Sequence, residues 1–166
     1  MSESYVECLV ARKPSFVMQF LKILLIMLTV VFVLVGFIFL PGIPGLLVAA
    51  VTAIGAYVAY LNASIEYEYL YVDKEISIDK VMAKSRRKKA ASYSLEQMEI
   101  FAPLNSHRLD SYKNLQLIDY SSGMPQDRHY IAVFAGEKGS GRIRFTPDDK
   151  MLQMMEFKSP SKVVTE

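Results

Sequence analysis

The sequence predicts an α+β membrane protein: an N-terminal transmembrane helical hairpin, then a small antiparallel β-rich domain closed by a C-terminal α-helix. Three observations carry this reading. No Asp, Glu, Lys, Arg or His occurs from Ile23 to Ile65, a gap of 43 residues. Beyond the gap, aromatic and β-branched residues alternate with polar ones, the period of half-buried strands. Near the end, Thr146-Pro147-Asp148-Asp149 writes a helix start ahead of a run of methionines.

The gap is about twice the ~20 residues one helix needs to cross a bilayer, and Pro41-Gly42-Ile43-Pro44-Gly45 divides it. The chain is therefore read as an N-terminal segment 1–15, a two-helix hairpin over 16–61 (spans 16–40 and 45–61) and a β-rich domain over 62–166 with its helix at 147–158. Neither span offers a polar face to water. Tyr57 and Tyr60 mark the lower end of the second at the depth where amphipathic rings lie. A cleaved signal peptide fits poorly, because the apolar run is too long and a second span follows at once.

Orientation follows from the flanks. Arg12, Lys13 and Lys22 stand before or at the start of the first span, and Lys74, Lys80, Lys84 and Arg86-Arg87-Lys88-Lys89 follow the second. The turn between the spans is uncharged, so the excess of positive charge on the inner side predicts a multi-pass protein of the cell membrane with both termini cytoplasmic. With no ionisable group inside the spans, an anchor is expected rather than a transporter. Gly45, Ala49, Ala53 and Ala56 form a stripe of small residues at helical spacing, which lets a second helix approach closely. The expected neighbour is the first span of the same chain. A second copy in a homodimer, or another membrane protein, is the sharper alternative.

Residues 62–166 suffice for one small domain. Their sixteen Lys and Arg against fifteen Asp and Glu leave it nearly neutral, which argues against nucleic acid as a partner. Cys8 is the single cysteine, so no internal disulfide and no cysteine-based metal cluster can form. It is read as a buried or idle thiol, with acylation beside the membrane as the alternative.

Along the domain, Glu66–Val72 and Glu75–Asp79 read as a hairpin turning at Asp73-Lys74. Val81–Tyr93 reads as a further strand pair with the basic run in or near its bend. Ser94-Leu95-Glu96-Gln97 fits a capping box, which predicts a short helical turn. Residues 103–112 read as loop, 114–120 as a weak strand and Ser121–Pro125 as a turn. Tyr130–Ala135 and Arg142–Phe145 flank the Gly-rich Gly136–Gly141, a strong hairpin signal, with Ile143 and Phe145 on one face. In the closing helix Thr146 is the expected N-cap and Pro147 the first residue. Met151, Leu152, Met154 and Met155 form its apolar face, and Pro160 stops it.

A run of strands closed by one helix resembles the pleckstrin-homology-like superfold. The stretch Tyr69-Leu70-Tyr71-Val72-Asp73-Lys74-Glu75-Ile76-Ser77-Ile78-Asp79-Lys80-Val81, with Arg86-Arg87-Lys88-Lys89 and the tail Pro160-Ser161-Lys162-Val163, resembles an uncharacterised family of small two-span membrane proteins of Gram-positive bacteria. The likeness covers nearly the whole chain. It implies a fold and no activity, because that family is a domain of unknown function.

No motif points to catalysis. Ser77-Ile78-Asp79-Lys80 and Ser85-Arg86-Arg87-Lys88 match S-x-x-K but lack its companion motifs. The Gly-rich segment lacks the G-K-[ST] that closes a phosphate-binding loop. His107 and His129 have no ligand partner nearby in sequence, and helix capping accounts for Asp148-Asp149. No enzyme, catalytic residue, metal or cofactor is expected. One site remains: Arg86, Arg87, Lys88 and Lys89, which could contact anionic lipid headgroups at roughly 1 kcal/mol per residue, or form a solvated strand face. The reading is a membrane-anchored interaction or scaffold module at the inner face of the membrane. The alternative is an accessory subunit of a membrane transport or cell-envelope complex.

Overall fold

A computed structural model describes residues 5–39, 43–135 and 140–164. The chain divides into two compact units, Pro14–Ile65 with Met82–Arg86, and Met1–Lys13 with Glu66–Val81 and Arg87–Glu166.

The first unit holds α1 (Phe16–Phe39) and α2 (Ile43–Ala63). At ~1.5 Å per residue these are about 36 and about 32 Å long. Each has a stretch long and apolar enough to cross a membrane by length and composition. α2 starts two residues before and ends two residues after the expected span. Pro44 lies in its first turn, where a missing N–H removes no intrahelical bond. Of the expected turn, Pro41 and Gly42 lie outside the described residues. The two helices pack on each other, and much of their remaining apolar surface is uncovered, with Phe16 at 82% and Leu46 at 72% exposure.

The second unit is built on two sheets. In the first, β1 (Val6–Ala11), β2 (Ile65–Val72), β3 (Glu75–Met82) and β4 (Arg86–Ser94) lie in chain order. β1 runs antiparallel to β2, with Val6 opposite Tyr71 and Ala11 opposite Glu66. The β-rich domain therefore does not begin at residue 62, as the sequence suggested. Its first strand precedes the helices, and the hairpin is an insertion between β1 and β2. The six residues of β1 run straight into Arg12-Lys13-Pro14, and read locally they are only a charged flank. Both tight turns of this sheet carry two successive residues at positive φ, Asp73 (46°) with Lys74 (67°) and Ala83 (49°) with Lys84 (56°). That is the I′ geometry whose twist suits a hairpin. The second turn precedes the basic run, which lies on β4 rather than in the bend.

The second sheet has the order β5-β7-β8-β6, from β5 (Met98–Pro103), β6 (Leu117–Asp119), β7 (Tyr130–Phe134) and β8 (Gly141–Phe145). The expected helical turn at Ser94 is a tight turn into β5 instead. Ser94 Oγ accepts from the Glu96 N–H (3.2 Å) and Ser94 O from the Gln97 N–H (3.1 Å). The pattern of a capping box caps only a turn here, because the chain re-enters a sheet at Met98. β6 pairs parallel with β8, against the all-antiparallel expectation. A crossover rather than a tight turn joins β6 to β7, and so permits that direction. A 3-10 helix, His107–Tyr112, occupies the stretch read as loop. β7 and β8 pair antiparallel as predicted, although residues 136–139 of the loop between them lie outside the described residues.

β7 is buried at every position. Ile131 and Val133 pack with Ala102 and Leu109, while Tyr130 stacks on Phe101 at 4.9 Å. Phe145 meets Tyr69 of the first sheet edge-on at 5.7 Å. The closing helix α3 (Asp149–Lys158) buries Met151, Leu152 and Met155. Its N-cap is Asp148, whose carboxylate accepts from the Met151 N–H at 2.8 Å. Thr146 does not cap it, because its hydroxyl is held by the Ser122 N–H (3.2 Å) and by His129 Nδ1 (2.9 Å).

Because Ala11 and Glu66 are direct partners, replacing residues 12–65 by Asn-Gly should close β1 and β2 as an ordinary hairpin. We expect a water-soluble domain with a cooperative unfolding transition, whereas residues 64–166 alone should lack one. Circular dichroism melts of the two proteins make the check.

Candidate functional site

The basic run opens β4. Arg86, Arg87, Lys88 and Lys89 are all exposed. Successive side chains of a strand point to opposite faces, so the run splits into Arg86 with Lys88 and Arg87 with Lys89 rather than forming one patch. The two-residue turn ahead of it is fastened. The Ala83 N–H donates to Ser64 O at 2.8 Å, one residue beyond the end of α2. Within this unit Lys84 and Arg86 thus stand at the foot of α2.

Arg87 is committed to an ion pair, with Nη1 3.1 Å from Oε2 of Glu68. Glu68, on β2, is 1% exposed. Burial pushes its carboxyl above the usual range, and hydrogen bonding to Glu7 pushes it further, while Arg87 pulls the other way. Glu7 is drawn down by the hydrogen bond from the Tyr5 hydroxyl (2.6 Å) and by Glu68. The two acids are thus pushed apart, Glu7 below and Glu68 above the usual carboxylate range. Sequence reading missed this cluster, because its members are 61 positions apart and only the β1–β2 pairing brings Glu7 and Glu68 together.

The small-residue stripe is displaced from its expected line. Gly45 is buried and Ala49 and Ala56 are half-buried, but Ala53 is exposed. One line of covered positions runs Gly45, Ala49, Thr52, Ala56, Ala59 and Ala63, with Leu61 buried and Gly55 and Asn62 half-buried beside it. Steps of four and three alternate there and average 3.6, the helix period, whereas two steps of four drift off the face. The Thr52 hydroxyl bonds back to Val48 O and Ala49 O, so it sits on this face without an unsatisfied donor.

The histidines have structural roles. His129 bridges Met124 O and the Thr146 hydroxyl, both at 2.9 Å, and His107 is an exposed partner of Asp110. Among the described residues, no three His, Cys, Asp or Glu side chains come together as a metal site. Cys8 is buried, and burial raises its thiol pKa.

The sequence profile of a family described as "Bacterial PH-like domain (DUF6106)" matches residues 2–165. Neither the comparison with curated proteins nor that with solved structures gave a match.

Two outcomes follow from this geometry. Ala56→Leu should overpack the covered face at a cost of about 1–3 kcal/mol, while Ala53→Leu should be nearly silent, as thermal unfolding in detergent will report. Glu68 ionises in the unfolded chain near pH ~4.3 but later in the fold. Its contribution is therefore favourable at low pH and lost as pH rises through the folded value, opposite to Glu7. In Glu68→Gln the stability gained relative to the parent should grow from about pH 4 to about pH 7. A constant difference across melts in that range would contradict the assignment.

Proposed function

The chain belongs to this bacterial PH-like domain family, and from that premise we propose that it is a non-catalytic, membrane-anchored interaction module with both termini cytoplasmic. The apolar surface left uncovered on α1 and α2 suits lipid, since a soluble protein rarely leaves so much exposed. Charge is absent between Lys22 and Glu66, and the cationic flanks favour the inner side.

The observation that carries the reading is the hydrogen bond from Ala83 to Ser64. It fastens the β3–β4 turn at the end of α2, so Lys84 and Arg86 meet the headgroup layer when α2 spans the bilayer. Each contributes roughly 1 kcal/mol where the leaflet is anionic. Ala83 and Lys84 hold left-handed backbone without glycine, a local cost that fastening to Ser64 offsets. The turn acts as a fixed foot on the leaflet. Lys88 and Lys89 lie further along the strand, at ~3.3 Å per residue, and so further from that foot.

A periplasmic phosphatase fused after Glu166 should be inactive and a cytoplasmic fluorescent reporter there active. The reverse result sinks the topology. In nanodiscs, amide exchange at residues 83–86 should slow when anionic lipid is included. The effect should fade in ~1 M salt, where the screening length falls to about 3 Å. A stoichiometric partner retained in mild detergent would instead make the chain an accessory subunit of a larger membrane assembly.

A further inference from the structure

We propose that the open edge of β4, Arg87–Ser94, is a docking strand for an acidic, extended segment of a partner protein. This names the partner class for the interaction role above and rests on it.

The four sheet edges differ in length and cover. β1 ends the first sheet and is in contact with α3. β5 ends the second and is covered by the C-terminal tail: the Phe101 N–H donates to Lys162 O and the Val164 N–H to Phe101 O, both at 2.8 Å. β6, at the other end, is three residues long. Short or covered edges are the usual ways of preventing unwanted strand pairing. β4 has neither. It is nine residues long, it ends its sheet, and among the described residues no backbone group from Arg87 to Tyr93 bonds outside the β-ladder. Each second residue of such an edge directs both its N–H and its C=O outward, ready to pair.

The side chains select the occupant. Lys88 and Lys89 are exposed and, among the described residues, take part in no ion pair. Ala90, Ala91 and Ser92 follow, small enough to let another backbone close in. The strand Arg87–Ser94 contains no acid. A second copy paired along it would add three cations and compensate none. An extended segment with two adjacent acids, one on each face, opposite Lys88 and Lys89 satisfies both the backbone and the charge, which is strand addition with electrostatic selection. Lysine on an edge thus repels its own copies while admitting an acidic strand.

The test uses the full chain in neutral-lipid nanodiscs and a fluorescent nine-residue peptide in which adjacent Glu pairs are set among Val residues. Three further peptides accompany it: one with Gln for Glu, one N-methylated at alternate residues, and one scrambled. The Glu peptide should bind and slow amide exchange across Arg87–Ser94. Replacing Lys88 and Lys89 by Glu should weaken it roughly tenfold or more, without changing the melting temperature. N-methylation should abolish binding although every charge remains. Equal binding of the N-methylated peptide would overturn the proposal in favour of bulk charge attraction. So would protection of β4 by anionic vesicles but not by peptide, or protection that rises with protein concentration alone, which would make lipid or a second copy the occupant. The readout is local to β4, so a failed topology test leaves it intact, and failure here leaves the anchor reading standing.

Discussion

The ladder between Val6–Ala11 and Glu66–Tyr71 constrains everything else in this chain. Direct partners in an antiparallel pair lie only ~4.5–5.5 Å apart, so whatever is inserted between Ala11 and Glu66 must leave and return to nearly the same point. Two antiparallel helices of similar length do this with little extra chain. Four residues join β1 to α1, and Ser64 alone separates α2 from β2. The small-residue face of α2 matters for the same reason, because a close-packed pair keeps its two ends together. The helical hairpin and the β-rich domain are thus coupled by covalent order, and neither strand of the ladder can be removed without opening the first sheet.

Inside the β-rich unit, side chains add to the tight β4–β5 turn in tying the two sheets. The Tyr69 hydroxyl donates to Tyr120 O at 2.6 Å and accepts from the Thr146 N–H at 3.3 Å, while its ring meets Phe145. Burial pushes its pKa far up, so it stays a donor at any physiological pH. Arg142 donates to the carbonyls of Lys113 and Leu115, which holds the segment after the 3-10 helix against β8. His129 and Thr146 fix the approach to α3. Each of these polar groups is engaged in holding one segment of the fold against another.

The surface is uneven. Glu7, Glu68 and Arg87 meet on one face of the first sheet, and the 3.1 Å contact with Glu68 sets Arg87 apart from Lys88 and Lys89. The remaining charges divide by position: Lys84 and Arg86 at the foot of α2, Lys88 and Lys89 along the open edge. A run that reads as one basic cluster in the sequence becomes residues with different neighbours.

The two apolar helices, the hairpin turning at Asp73-Lys74, the β7–β8 pair and the closing helix were legible in the sequence, because each is governed by local period and turn chemistry. An uncharged stretch cannot meet water, and alternation with a two-residue turn has few alternatives. The strand β1, the parallel β6 and the true cap Asp148 were not legible. Each depends on a partner far along the chain: β1 needs β2 across the helices, β6 needs β8, and Thr146 fails as a cap only because Ser122 and His129 hold its hydroxyl. Likewise the sequence determined that Arg86–Lys89 are adjacent cations, and that Gly45, Ala49, Ala53 and Ala56 are small. Only the tertiary structure decided that Arg87 pairs with a buried Glu68 and that Ala53 faces outward, because burial and pairing are properties of what lies opposite a residue in space.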